Sequence, residues 1–119
     1  MKFYVNKEKG ELIATLNEEL KCDAFKPITA NSTDAAQEKH VPVVTVAGDK
    51  VTVDVGSVPH PMTEAHLISY VVLETTHGFQ LKKLAHTDAP KAEFTLSAGE
   101  KAVAAYEYCN LHGLWVFNI

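Results

Sequence analysis

Apolar and polar residues alternate over two stretches in which a β-strand is the regular structure that fits. Val51, Val53 and Val55 are interleaved with Thr52 and Asp54, and Ala92, Phe94 and Leu96 with Glu93, Thr95 and Ser97. A period of two puts one set on a buried face and the other in water. Leu67 to Thr75 and Leu114 to Phe117 run almost without interruption through apolar and β-branched residues, the pattern of central strands covered on both faces. Ala102 to Tyr108 supplies another strand. Gly48-Asp49 divides Val43–Val46 from the run starting at Val51 as a hairpin turn would, and His77-Gly78 and Ser97-Ala98-Gly99 break the later runs. No segment sustains a 3.6-residue period, and a single helical turn is expected at Ala35 to Lys39. About seven short strands with frequent turns predict an all-β fold: an immunoglobulin-like antiparallel β-sandwich over residues 34–119.

Residues 1–33 read differently. Phe3, Val5, Leu12, Ile13 and Leu16 are too few to build a core of their own, so this lysine- and glutamate-rich stretch is expected to be a small β appendage. The turn formers Asn31-Ser32-Thr33-Asp34 mark the boundary.

A chain of 119 residues, 46% hydrophobic and 22% charged, is expected to fold as one main domain. The net charge of −4 and the complete lack of arginine argue against a nucleic-acid partner. The N-terminus has one apolar triplet followed by charges, so neither a signal peptide nor a membrane span is expected, and the cytoplasm is the expected compartment. In that compartment Cys22 and Cys109 are not expected to pair as a structural disulfide. Six histidines are many for this length, and four lie near Pro, Gly or Cys.

Three clusters carry the chemistry. Tyr108-Cys109-Asn110-Leu111-His112-Gly113 places a thiol and an imidazole on a turn between strands, where both can reach one ion. In Gly56-Ser57-Val58-Pro59-His60-Pro61-Met62-Thr63-Glu64-Ala65-His66, two histidines lie six residues apart, and prolines on both sides of His60 restrict the loop. Glu38-Lys39-His40-Val41-Pro42 brings a histidine into the first sandwich strand behind a lysine and a carboxylate. Four imidazoles and one thiolate exceed the four ligands of structural zinc and suit iron or copper better. An octahedral metal would keep one position open, and a thiolate opposite it would push electron density toward an oxygen species.

These three clusters resemble the desulfoferrodoxin and superoxide reductase family, and the likeness runs along essentially the whole chain. The resemblance implies one iron per chain, with His40, His60, His66 and His112 as equatorial ligands and Cys109 as the axial one. It implies that Lys39 attracts superoxide and helps to protonate the reduced species, and that Glu38 fills the sixth position in the oxidised resting state. It further implies rubredoxin or a similar small protein as electron donor, and a homo-oligomer, with a dimer expected. Two-iron relatives hold a second iron in a rubredoxin-like N-terminal domain through a Cys-x-x-Cys pair and an adjacent cysteine pair. Here Asn6 and Lys9 replace the first pair and Cys22 alone remains after Lys21. Residues 1–33 therefore resemble a desulforedoxin-like domain without its iron site.

A cupredoxin-like electron carrier is the main alternative, because it too is a β-sandwich with a Cys-x-x-His turn. Blue copper needs only two histidines and commonly an axial methionine after the last one, which Gly113 to Phe117 do not provide. A metal-free binding module would leave the Pro-His-Pro and Cys-x-x-His turns without purpose. His77 and His86 match no cluster and are expected in solvated loops. Met62, Trp115 and Phe117 are expected to pack as core or site-wall residues.

Overall fold

The computed structural model describes all 119 residues. Strands β1 (Lys2–Asn6), β2 (Leu12–Thr15) and β3 (Phe25–Ile28) form an N-terminal antiparallel sheet in the order β2-β1-β3. One helical turn, α1 (Gln37–His40), leads into β4 (Pro42–Ala47), β5 (Lys50–Val55), β6 (Ile68–Thr75), β7 (Gly78–Lys83), β8 (Lys91–Thr95), β9 (Ala102–Cys109) and β10 (Gly113–Asn118). These seven strands make two sheets, β4-β5-β8 and β10-β9-β6-β7, in agreement with the sandwich read from the sequence.

Alternation explains the inner layer. Val51, Val53 and Val55 of β5 and Ala92 and Phe94 of β8 face Val71 and Leu73 of β6 and Ala105 and Cys109 of β9 in one core. The opposite face of β6 presents Tyr70 and Val72, which join Leu114, Phe3 and Leu12 in a second cluster. The N-terminal sheet is thus stabilised by a face it borrows. Burying Phe3 and Leu12 contributes roughly 1.5–3 kcal/mol each, far less than the cost of ordering the backbone of the whole segment at about 1–2 kcal/mol per residue.

Two readings need correction. β10 is an edge strand, not a central one. Leu114 and Trp115 are buried, but Phe117 is 44% exposed. The edge is sealed locally by Asn31, whose backbone N–H donates to Leu114 O at 2.9 Å and whose side-chain Oδ1 accepts from Val116 N at 2.9 Å. His40, in turn, does not enter the first sandwich strand: it is the last residue of α1, two positions before β4.

Register gathers the chemistry at one end of the sandwich. Pro42 at the start of β4 pairs with Val55 at the end of β5, and Cys109 at the end of β9 pairs with both Ile68 and Gly113, the first residues of β6 and β10. The segments carrying His40, His60, His66 and His112 all leave the sheets at that end.

Candidate metal centre

Each histidine is delivered by a short constrained segment. His60 N donates to Val55 O at 2.9 Å, which folds the Pro-His-Pro loop back onto the end of β5. That loop also lies against α1: Val58 N donates to Glu38 O at 2.9 Å and Ser57 Oγ at 3.3 Å. The approach demands a residue without a side chain at Gly56, where a Cβ would sit 2.7 Å from Glu38 O and 2.9 Å from Val41 O. His66 is held through its backbone by Thr63 Oγ1, which accepts from His66 N at 3.0 Å. Asn110, next to Cys109, accepts from Leu67 N at 3.0 Å and donates to Ala65 O at 2.9 Å, clamping both neighbours of His66 to the thiol-bearing turn.

The result is a convergent set of donors. One ligating atom from each of His40, His60, His66, Cys109 and His112 falls within 4.8 Å of the others. Neighbouring rings meet edge to face: His40–His60 at 4.8 Å and 74°, His60–His66 at 4.6 Å and 82°, His66–His112 at 5.1 Å and 77°, and His112–His40 at 4.9 Å and 90°. His40 Nε2 lies 3.1 Å from His112 Nδ1, and Cys109 Sγ 3.5 Å from His60 Nε2 and 3.8 Å from His112 Nδ1. The outer nitrogens of two rings are tied down, His40 Nδ1 donating to Ala36 O and His60 Nδ1 to Pro61 O, both at 2.7 Å. Such bonds fix the tautomer and leave Nε2 bare toward the centre.

This set fits a metal ion. Bonds of about 2.0–2.3 Å to nitrogen and sulfur separate opposite donors by at most about 4.6 Å, close to the observed span. His66 Nε2 is buried with no hydrogen-bond partner, an orphan that a cation would satisfy. Burial favours the neutral form of three imidazoles: desolvation lowers His40 and His66 and brings His60 from 6.5 to about 4. It also pushes the Cys109 thiol up, so the thiolate needs a cation beside it.

Glu38 and Lys39 are exposed on α1. The Lys39 ammonium reaches His66 electrostatically, contributing to its lowered value, and the Glu38 charge acts oppositely on His40. His77 and His86 are exposed and outside the cluster, and His86 Nε2 lies 3.5 Å from Glu64 Oε1. Met62 Sδ accepts from Ile68 N at 3.4 Å and packs against the main core. Cys22 is exposed and unpaired.

Trp115 lines the centre as expected of a site-wall residue, whereas Asn110 and Glu107 were not singled out by the sequence. Asn110 carries no signal beyond its place in the Cys-x-x-His turn. Trp115 stacks on His40. Glu107 is fully buried without a partner, and desolvation raises it well above the usual carboxyl range. Strand alternation contained its signal, because the inward face of β9 that carries Cys109 also carries Glu107.

Known proteins share this arrangement of chain. Residues 32–118 match the family described as Desulfoferrodoxin. A desulfoferrodoxin of Clostridium acetobutylicum is 39% identical over an alignment covering 100% of this chain and 97% of that protein. A superoxide reductase of Pyrococcus horikoshii is 38% identical over 73% of this chain and 90% of its own length. The crystal structure of the superoxide reductase from Treponema pallidum superposes with a TM-score of 0.84 at 40% identity, covering 98% of both chains.

Proposed function

The chain belongs to the desulfoferrodoxin family, and from that premise we propose that it is an enzyme reducing superoxide by one electron to hydrogen peroxide at a single non-haem iron. The observation that carries this reading is the convergence of four imidazoles and one thiol within 4.8 Å. Four histidines exceed the requirement of a blue-copper carrier, and five donors that of structural zinc. His40, His60, His66, His112 and Cys109 would hold the ion, one per chain. Iron so held supplies a one-electron couple, a Lewis-acidic position for the substrate and, through the thiolate, an electron-rich donor that favours reduction.

The remaining work belongs to the protein. The imidazoles of His40, His60 and His66, whose neutral form desolvation favours, are ready to ligate without first losing protons, and the Cys109 thiol gives up its proton when the metal binds. Neutral imidazoles and a single thiolate cancel only part of a divalent charge, so the mouth of the site stays positive in a chain of net charge −4. Lys39 adds to that local field and is the proposed proton source at the mouth. Glu38, one residue away, is the proposed occupant of the sixth position in the oxidised protein. Residues 1–33 are read as a metal-free desulforedoxin-like domain that covers Tyr70, Val72 and Leu114 of the sandwich, so an external donor of the rubredoxin type must deliver electrons to the centre directly. No helix is long and apolar enough to cross a membrane. A cytoplasmic, dimeric protein completes the proposal.

Lys39 offers a kinetic test. With a Debye length of about 8 Å at physiological salt, distant carboxylates are screened and a charge at the mouth dominates capture. Local fields change association rates by about 10 to 1000-fold. Lys39→Ala should therefore slow the bimolecular reaction with superoxide at least severalfold and flatten its decline with salt, while Lys39→Arg should largely preserve both. Glu38→Ala should alter the spectrum of the oxidised protein and leave the encounter rate nearly unchanged. Pulse radiolysis across an ionic-strength series reads these outcomes, and an unchanged rate and salt slope in Lys39→Ala would remove Lys39 from the mechanism.

A further inference from the structure

The indole of Trp115 lies flat against the ring of His40, with centroids 5.0 Å apart and planes inclined by 26°. Every other ring contact in the cluster is edge to face, at 74° or more. His40 therefore receives face-on support only from Trp115. Its other restraint, the bond from Nδ1 to Ala36 O, leaves the ring plane free to turn about the Nδ1···O line. The indole supplies the missing constraint, since offset stacking at this separation favours one relative orientation of two rings.

The same side chain acts on a second candidate ligand. Trp115 Nε1 donates to His112 O at 3.1 Å, closing the turn that leads from His112 into β10. Trp115 is only 3% exposed, so neither the stack nor the bond competes with bulk water. One rigid side chain thus joins two histidines from distant parts of the chain, whose inward nitrogens lie 3.1 Å apart.

Resting on the iron-centre reading, we propose that Trp115 is a positioning residue: it fixes the ring plane of His40 and the backbone of the His112 turn so that both nitrogens face one ion. Residues that orient metal ligands from behind typically change metal affinity by about 10–100-fold when removed. Two variants separate the contacts. Trp115→Leu keeps apolar bulk but loses stack and N–H; Trp115→Phe keeps a smaller stacking face and loses the N–H.

The test combines NMR of the His40 ring in metal-free protein with Fe(II) affinity measured by chelator competition. In wild type, the His40 ring protons should be displaced by the indole ring current. Trp115→Leu should lose that displacement and bind Fe(II) about 10–100-fold more weakly. Trp115→Phe should retain a displacement, recover part of the affinity and confine its chemical-shift changes to the His112 turn. If Trp115→Leu fails to fold, Trp115→Phe decides alone: altered shifts at the His112 turn with weakened Fe(II) binding support the assignment, and wild-type values for both overturn it. Trp115→Leu that folds and binds Fe(II) as wild type does also overturns it. Failure of the iron-centre reading looks different, because wild-type protein itself would then bind no Fe(II).

Discussion

Cys109→Ser is expected to abolish the thiolate-to-iron charge-transfer absorption and nearly all superoxide reductase activity. Cys109 is fully buried and the only sulfur among the five donors, with Sγ at 3.5 Å from His60 Nε2 and 3.8 Å from His112 Nδ1. A hydroxyl is a shorter and harder ligand whose proton is far more difficult to remove, so serine replaces neither the charge nor the electron donation of the thiolate. Wild type should carry one iron per chain by metal analysis. In contrast, His77→Ala and His86→Ala should retain both iron and absorption, since neither ring belongs to the cluster. Should either of these outer variants lose iron while His66→Ala keeps it, the ligand assignment is wrong. An Fe(Cys)4 absorption that vanishes in Cys22→Ser would instead overturn the metal-free reading of residues 1–33.

His60 should make the metal-free protein lose stability as pH falls from 6.5 to about 4. Its folded state holds His60 neutral down to about 4, whereas the unfolded chain takes up that proton near 6.5. Below 6.5 the unfolded state thus binds more protons, and stability falls with decreasing pH until His60 itself is charged. At about 1.4 kcal/mol per pH unit of displacement, His60 alone accounts for roughly 3 kcal/mol. His40 and His66 are lowered too and add to the same slope. Glu107 works in the opposite sense, because its raised value favours the folded state below 4.5 and costs stability as pH rises. Comparison with a His60 variant separates the His60 share from these opposing contributions. Denaturant midpoints of metal-free protein at pH 7 and 4.5 should show this, and His60→Gln should remove the His60 share. Equal pH dependence in wild type and His60→Gln would show that His60 is not held neutral by the fold.

How far the sequence carries depends on how local the cause is. The alternating runs of β5 and β8 were legible because each residue's burial follows from its own strand's pleat. β10 was misread as central because its apolar run has a non-local explanation: Leu114 packs under the N-terminal sheet and Trp115 against His40, while the edge is closed by Asn31. α1 has only four residues, too few to impose a period, and so His40 looked like part of a strand. The five candidate ligands stood out because Pro-His-Pro and Cys-x-x-His are local patterns and because the family likeness joined them to His40. Glu107 and Asn110 sit within or beside the same motif, yet their significance appears only in three dimensions. One is buried without a partner and the other bonds to both neighbours of His66.

The most direct test of the central claim is the yield of hydrogen peroxide per superoxide consumed by the reduced, iron-loaded protein, with dioxygen followed in the same reaction. A reductase centre built from these five residues takes one external electron for each superoxide, so the account predicts one hydrogen peroxide per superoxide and no dioxygen from the enzyme. One hydrogen peroxide for every two superoxide ions, accompanied by dioxygen, would identify a dismutase and contradict it.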